Sequence, residues 1–187
     1  MYIFKVIADD AEKMHLHFIR LSKTNKLVLI AYFSCLAAIF QSAGGLFPGI
    51  GYLISPLATA PLLLCTALSL PFGLLSYMLT MLLLLIIQPS ELIVFPFTTG
   101  LLGFGIGISF CFFKRRLNII LGSTMILTLG ITTLLYIIKF PVLGPTVSTS
   151  FSFFTGGAII LFSLFYSWLW VELSIVCFGR LKSIIIS

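Results

Sequence analysis

Residues 92–138 read LIVFPFTTGLLGFGIGISFCFFKRRLNIILGSTMILTLGITTLLYII, two apolar stretches separated by the triplet Lys114-Arg115-Arg116. Each stretch holds roughly 20 residues, which at about 1.5 Å per residue is the length a helix needs to cross some 30 Å of hydrocarbon. Three adjacent cations are costly inside hydrocarbon and settle at its edge, so the pair reads as two antiparallel membrane spans joined by a basic turn.

The same unit recurs on both sides of this pair. Apolar stretches cover about Leu27–Ala43, Gly51–Leu70 and Pro71–Gln88 before it, and about Phe151–Phe178 after it, which predicts six spans in all. The 187-residue chain is 60% hydrophobic and only 9% charged, with a mean hydropathy of +1.21. Soluble domains carry roughly 25% charged residues, so the expected fold is an all-α, polytopic bundle of six transmembrane helices. Two units are expected: a cytoplasmic amphipathic segment over 1–26 and the transmembrane domain over 27–182.

Charge placement gives the orientation. Lys5, Lys13, Arg20, Lys23, Lys26, Lys114, Arg115, Arg116, Arg180 and Lys182 fall on one side of the predicted zigzag, and only Lys139 on the other. Basic residues are retained in the cytoplasm, so both termini are expected inside, N-in and C-in, in a bacterial plasma membrane. The net charge of +6 therefore does not point to nucleic acid, because the cations cap helices and form no interleaved basic face. The inner turn at Leu70-Pro71 carries no charge, and a re-entrant second and third span is the alternative there.

Pro56 and Pro61 predict a kink or break near the outer end of the second span. In the turn Gln88-Pro89-Ser90-Glu91, Ser90 is placed to cap the fourth span. The loop Gly44–Tyr52, GGLFPGIGY, stops the first helix. Cys35, Cys65, Cys111 and Cys177 are scattered through apolar stretches without metal-site or disulfide spacing.

Little in the chain supports catalysis. Its two histidines, His15 and His17, lie in the N-terminal segment, and no paired acids, HExxH or GxSxG run occurs. No catalytic residue, metal site or cofactor is expected. Gly100, Gly103, Gly105 and Gly107 mimic a dinucleotide fingerprint, but the run is mid-span with no preceding strand, so Gly103 and Gly107 are read as a helix-packing face.

Two groups of residues remain as candidates. Polar and aromatic residues near the outer ends, Gln41, Ser42, Phe47, Tyr52, Gln88, Glu91, Thr146 and Ser148, converge if the helices form a bundle, and would surround a small ligand. Ala31, Ser34, Ala37 and Ala38 give the first span a small-residue face suited either to packing within the bundle or to docking a partner. Glu172, a carboxylate well inside the last span, requires compensation by water, a neighbouring hydroxyl or a partner. Trp168 and Trp170 point to different faces of that span, so one of them packs inward.

This architecture resembles the substrate-binding S component of energy-coupling factor (ECF) transporters. The likeness covers about Leu27–Lys182: six short spans, the GLFPGIGY loop, a small-residue first span and the fourth-span run FTTGLLGFGIGISFCFFKRR. In that family an Ala-x-x-x-Ala pattern in the first span contacts a transmembrane T component, and this chain has Ser34 and Ala38 at the corresponding spacing. The resemblance implies a ligand held near the outer face, partner T and ATPase subunits, and import of a small, mostly neutral or hydrophobic micronutrient. A non-transporting six-span scaffold or assembly factor, similar to the rod-shape protein MreD, is the alternative.

Overall fold

A computed structural model describes residues 16, 18–47, 49–140 and 153–185, with side chains described up to Arg180. Six of its helices are long and apolar enough to cross a membrane: Lys23–Leu46, Gly51–Leu68, Leu70–Ile87, Glu91–Phe112, Arg116–Ile137 and Phe153–Arg180, the last within a helix that runs on to Ile185. The chain is a multi-pass, all-helical membrane protein, and these are its first to sixth spans.

The ends of the spans follow from local chemistry. Ser22 caps the first span by accepting a hydrogen bond from the Asn25 amide at 3.2 Å. The chain leaves that span through Gly49, whose φ of +87° lies in the left-handed region that glycine enters without a Cβ clash. It then passes so close to the first span that a Cβ on Gly51 would lie 1.9 Å from the Ala43 carbonyl oxygen. Pro56 sits in a short 3₁₀ turn, Ser55–Ala58, and Pro61 falls in the first turn of the helix Thr59–Leu68, where its missing N–H breaks no intrahelical bond.

The fourth span is also built in pieces, Glu91–Val94, Phe95–Phe97 and Thr99–Phe112, interrupted around Pro96. Tyr77 of the third span donates its hydroxyl to the Pro96 carbonyl at 2.9 Å, satisfying a backbone group at the break. The fifth span ends in a π-helical turn, Thr133–Ile137, and Lys139 follows with φ of +58°.

The second and fourth spans pack most intimately, through the fourth span's glycines. A Cβ on Gly103 would lie 2.7 Å from the Thr59 carbonyl oxygen, and one on Gly107 only 2.4 Å from the Thr66 Cβ. The third span lies on the first, the fifth on the fourth, and the sixth mainly on the fifth with a light contact to the second. Phe18 stacks edge-on against Phe72, and Phe110 against Phe178, in one apolar cluster that includes Leu68 and Ile119. The start of the first span and the end of the sixth therefore lie at the same end of the bundle. This end carries Lys23, Lys26, Lys114, Arg115 and Arg180, and is called the basic end below.

The N-terminal segment expected over 1–26 lies mostly outside the described residues. At its described end Phe18 is buried against the bundle, while Lys26 donates to the Ile19 carbonyl at 2.8 Å and sits over the Phe18 ring. Ser90 occupies the cap position of the fourth span, but its hydroxyl accepts from the Gln88 side-chain amide at 3.0 Å instead of from the helix backbone.

Candidate functional site

At the end of the bundle opposite the basic end, three polar side chains from two spans join, Gln41 and Thr99 buried and Glu91 half-buried. Gln41, one turn before the close of the first span, is 1% exposed. Its Nε2 donates to Glu91 Oε2 at 2.7 Å, and its Oε1 accepts from the Thr99 hydroxyl at 2.6 Å. The partners fix the amide's orientation, because a carboxylate can only accept and Thr99 has a proton to give. Thr59 of the second span extends the chain of bonds, donating to the Thr99 carbonyl at 3.3 Å. The Gln41 amide thus joins the first span to the fourth, and Thr59 ties the second span to the fourth at the backbone of the same Thr99.

The glycines of the first loop make this approach possible. A Cβ on Gly44 would lie 3.1 Å from Glu91 Oε1, and one on Gly45 would lie 2.3 Å from Gln88 Nε2. Glycine at both positions lets the turn Gln88–Glu91 rest directly on the end of the first helix. Glu91 also opens the fourth span, where the unpaired N–H groups of the first turn favour a carboxylate. Ser55 is buried beside Gly44, and Ser42 is buried with its hydroxyl bonded to the Ile39 carbonyl of its own turn at 2.9 Å.

The expected ligand-site residues therefore divide. Gln41 and Glu91 come together, while Gln88 lies against Gly45 with its amide on Ser90, and Ser42 directly follows Gln41. Phe47 and Tyr52 are well exposed on the outside of the loop. Thr146 and Ser148 lie outside the described residues. Thr59 and Thr99, which complete the network, are new to the site. The pair Thr98-Thr99 directly after Phe-Pro-Phe was the available signal, since a hydroxyl beside a proline break can satisfy freed backbone or reach across to another span.

The small-residue face of the first span is filled from within the chain. Ser34, Ala37 and Ala38 are fully buried, and Ser34 Oγ meets Ser76 Oγ of the third span at 2.9 Å while donating to the Ile30 carbonyl at 2.8 Å. Ser34 thus packs on the third span and Ala38 lies in an apolar cluster with Ala58, Leu62, Leu84 and Phe95, whereas Ala31 is exposed on another side. Of the two roles open to this face, packing within the bundle is the one these contacts describe.

Glu172 also finds its counterpart inside the chain. It forms an ion pair with Arg116, the first residue of the fifth span, whose side chain is 3% exposed. In sequence Arg116 reads as the third cation of a cytoplasmic cap, yet its neighbour Arg115 is exposed and Arg116 turns inward to the carboxylate. A charge near hydrocarbon is tolerated when it is paired in this way.

Chemically, the Gln41–Glu91–Thr99 cluster offers hydrogen-bond acceptors and a carboxylate, which suits recognition of a molecule with donor groups. Among the described residues no three His, Cys, Asp or Glu side chains come together as a metal site. The chain matches no known family model, no characterised protein and no solved structure.

Proposed function

We propose that this chain is the substrate-binding membrane subunit of an energy-coupled importer, of the kind that S components provide in ECF transporters. The observation that carries this reading is the Gln41–Glu91–Thr99 cluster, part-buried at the end opposite the basic end. With the basic end in the cytoplasm, N-in and C-in, the cluster faces the outside of the cell. A polar network that ties three spans together just below the outer surface, capped by a glycine-rich loop, is suited to capturing a small solute and closing over it.

The ligand class follows from the groups available. Apart from Glu91 and Lys139 the outer end has little charge, which favours a small, mostly neutral or hydrophobic micronutrient with hydrogen-bond donors for Glu91 and Gln41. The sequence contains no P-loop, so ATP hydrolysis and the T component would be supplied by partner subunits. With Ser34, Ala37 and Ala38 buried within the bundle, docking of those partners is assigned to other surfaces.

One observation favours a second reading, a non-transporting scaffold or assembly factor: the cluster's hydrogen bonds close on one another, as they would in a purely structural network. Thermal shift of the purified protein against a panel of vitamins separates the two. Stabilisation by one compound, lost in Glu91→Ala, is the importer's result, and no response to any compound is the scaffold's.

A further inference from the structure

The sixth span packs mainly on the fifth and only lightly on the second, and the space between the second and sixth is an apolar crevice of about 250 Å³. Leu57, Ala60 and Leu64 form one wall, and Trp170, Leu173 and Cys177 the other. Leu57 and Leu173 are 44% and 48% exposed, so the crevice opens sideways to whatever surrounds the spans. Around membrane-spanning helices that medium is lipid hydrocarbon. Water is a poor occupant, because the one hydroxyl in the lining, Ser174, already donates to the Val171 carbonyl at 2.7 Å. Dry apolar cavities of about 150 Å³ hold benzene, so this volume accommodates a stretch of alkyl chain.

A charged group lies at one end of the same wall. Leu173, Cys177 and Arg180 are spaced i, i+4 and i+7, which places them on a single strip of the sixth helix. Arg180 is exposed, roughly 4.5 Å further along the axis than Cys177, at the basic end of the bundle. An apolar slot that runs toward an arginine at the membrane edge matches a molecule with an alkyl tail and an anionic head.

We infer that the crevice between the second and sixth spans is a binding site for an anionic phospholipid, with an acyl chain against Trp170 and the phosphate at Arg180. This site is separate from the Gln41–Glu91–Thr99 cluster and holds whether or not the chain imports a solute. One interfacial cation predicts roughly a fivefold preference for anionic over zwitterionic lipid.

The two tryptophans of the chain, both on the sixth span, supply the test. Trp170 is 5% exposed and lines the crevice, whereas Trp168 is 45% exposed on the outer surface of the helix. The full chain is reconstituted in phosphatidylcholine vesicles containing increasing fractions of acyl-brominated phosphatidylglycerol or acyl-brominated phosphatidylcholine, which quench tryptophan on contact. In Trp168→Phe, the fluorescence of Trp170 should be quenched saturably, at about fivefold lower mole fractions of the glycerol lipid. In Trp170→Phe, Trp168 should respond to both lipids alike. Ala60→Leu, filling the crevice, should abolish the saturable phase, and Arg180→Gln should remove the headgroup preference. If Ala60→Leu perturbs insertion, as an altered Trp168 response would reveal, Cys177→Leu fills the slot from the other wall. Quenching of Trp170 that is equal for the two lipids, or that persists in the filled variants, overturns the inference.

Discussion

Arg116 and Glu172 form an ion pair that ties the first turn of the fifth span to the sixth span, with the arginine buried and the carboxylate one-quarter exposed. The pair compensates a carboxylate placed within an apolar helix, and it ties the fifth span to the sixth. Removing one partner of such a pair leaves the other charge without compensation, at a cost of about 3–5 kcal/mol.

Glu172→Ala should therefore lower stability by about 3 kcal/mol, at the low end of that range because the carboxylate is partly exposed. The double variant Arg116→Met, Glu172→Leu should recover most of the loss, since it strands no charge. Unfolding of the purified protein in mixed detergent micelles measures both, and wild-type stability in Glu172→Ala would contradict the compensating role.

Gly107→Ala should destabilise the bundle by about 1–3 kcal/mol, the range for overpacking, because its Cβ meets Thr66 and the backbone of Ala67 in the second span. Gly156→Ala is the matched control. Nothing lies within 4 Å of a Cβ there, so it should be neutral or gain up to about 1 kcal/mol of helix propensity. The same unfolding assay reads the pair, and equal effects would mean that close approach of the second and fourth spans is not what requires glycine.

Lys139→Gly should stabilise the protein by about 1 kcal/mol. Lys139 holds φ at +58° just after the π-turn, where the Phe140 amide reaches back to the Leu134 carbonyl at 3.0 Å. An L side chain costs about 1–2 kcal/mol in that region and glycine costs little, part of the gain being offset by glycine's greater freedom when unfolded. A lower melting temperature for Lys139→Gly would contradict this.

Orientation is tested by labelling. In a background with Cys35, Cys65, Cys111 and Cys177 replaced, Ser90→Cys should react with a membrane-impermeant maleimide in intact cells, and Arg115→Cys only after the cells are opened. The reverse pattern would put the Gln41–Glu91–Thr99 cluster in the cytoplasm and remove the proposed route of entry.

The number and rough limits of the spans were legible because apolar runs of membrane length are bounded by Gly, Pro and charge. Pro56 likewise marked the break in the second span. The inward faces were not legible. In a membrane the surroundings are as apolar as the core, so hydropathy does not distinguish Ser34, which meets the third span, or the buried Ala37 from Ala31, which faces outward. Long-range pairing was equally hidden. Gln41 and Glu91 were each visible as polar residues near an outer end, but they lie 50 positions apart, and only the packing of the turn Gln88–Glu91 on Gly44 and Gly45 joins them. Arg116 was masked by its neighbours, because a run of three cations reads as a surface cap even when its last member turns inward.

The most direct test of the proposed binding role is mass spectrometry of small molecules released from the protein after mild detergent extraction, comparing wild type with Glu91→Ala and Gln41→Ala. Each substitution removes one side of a hydrogen bond to a charged group, worth about 1.5–3 kcal/mol, so retention of the ligand should fall about tenfold or more in both variants. A compound carried by the wild type and depleted in both is the predicted result. Wild-type protein that carries no small molecule, or variants that retain the same compound to the same extent, would contradict a ligand site built on Gln41 and Glu91.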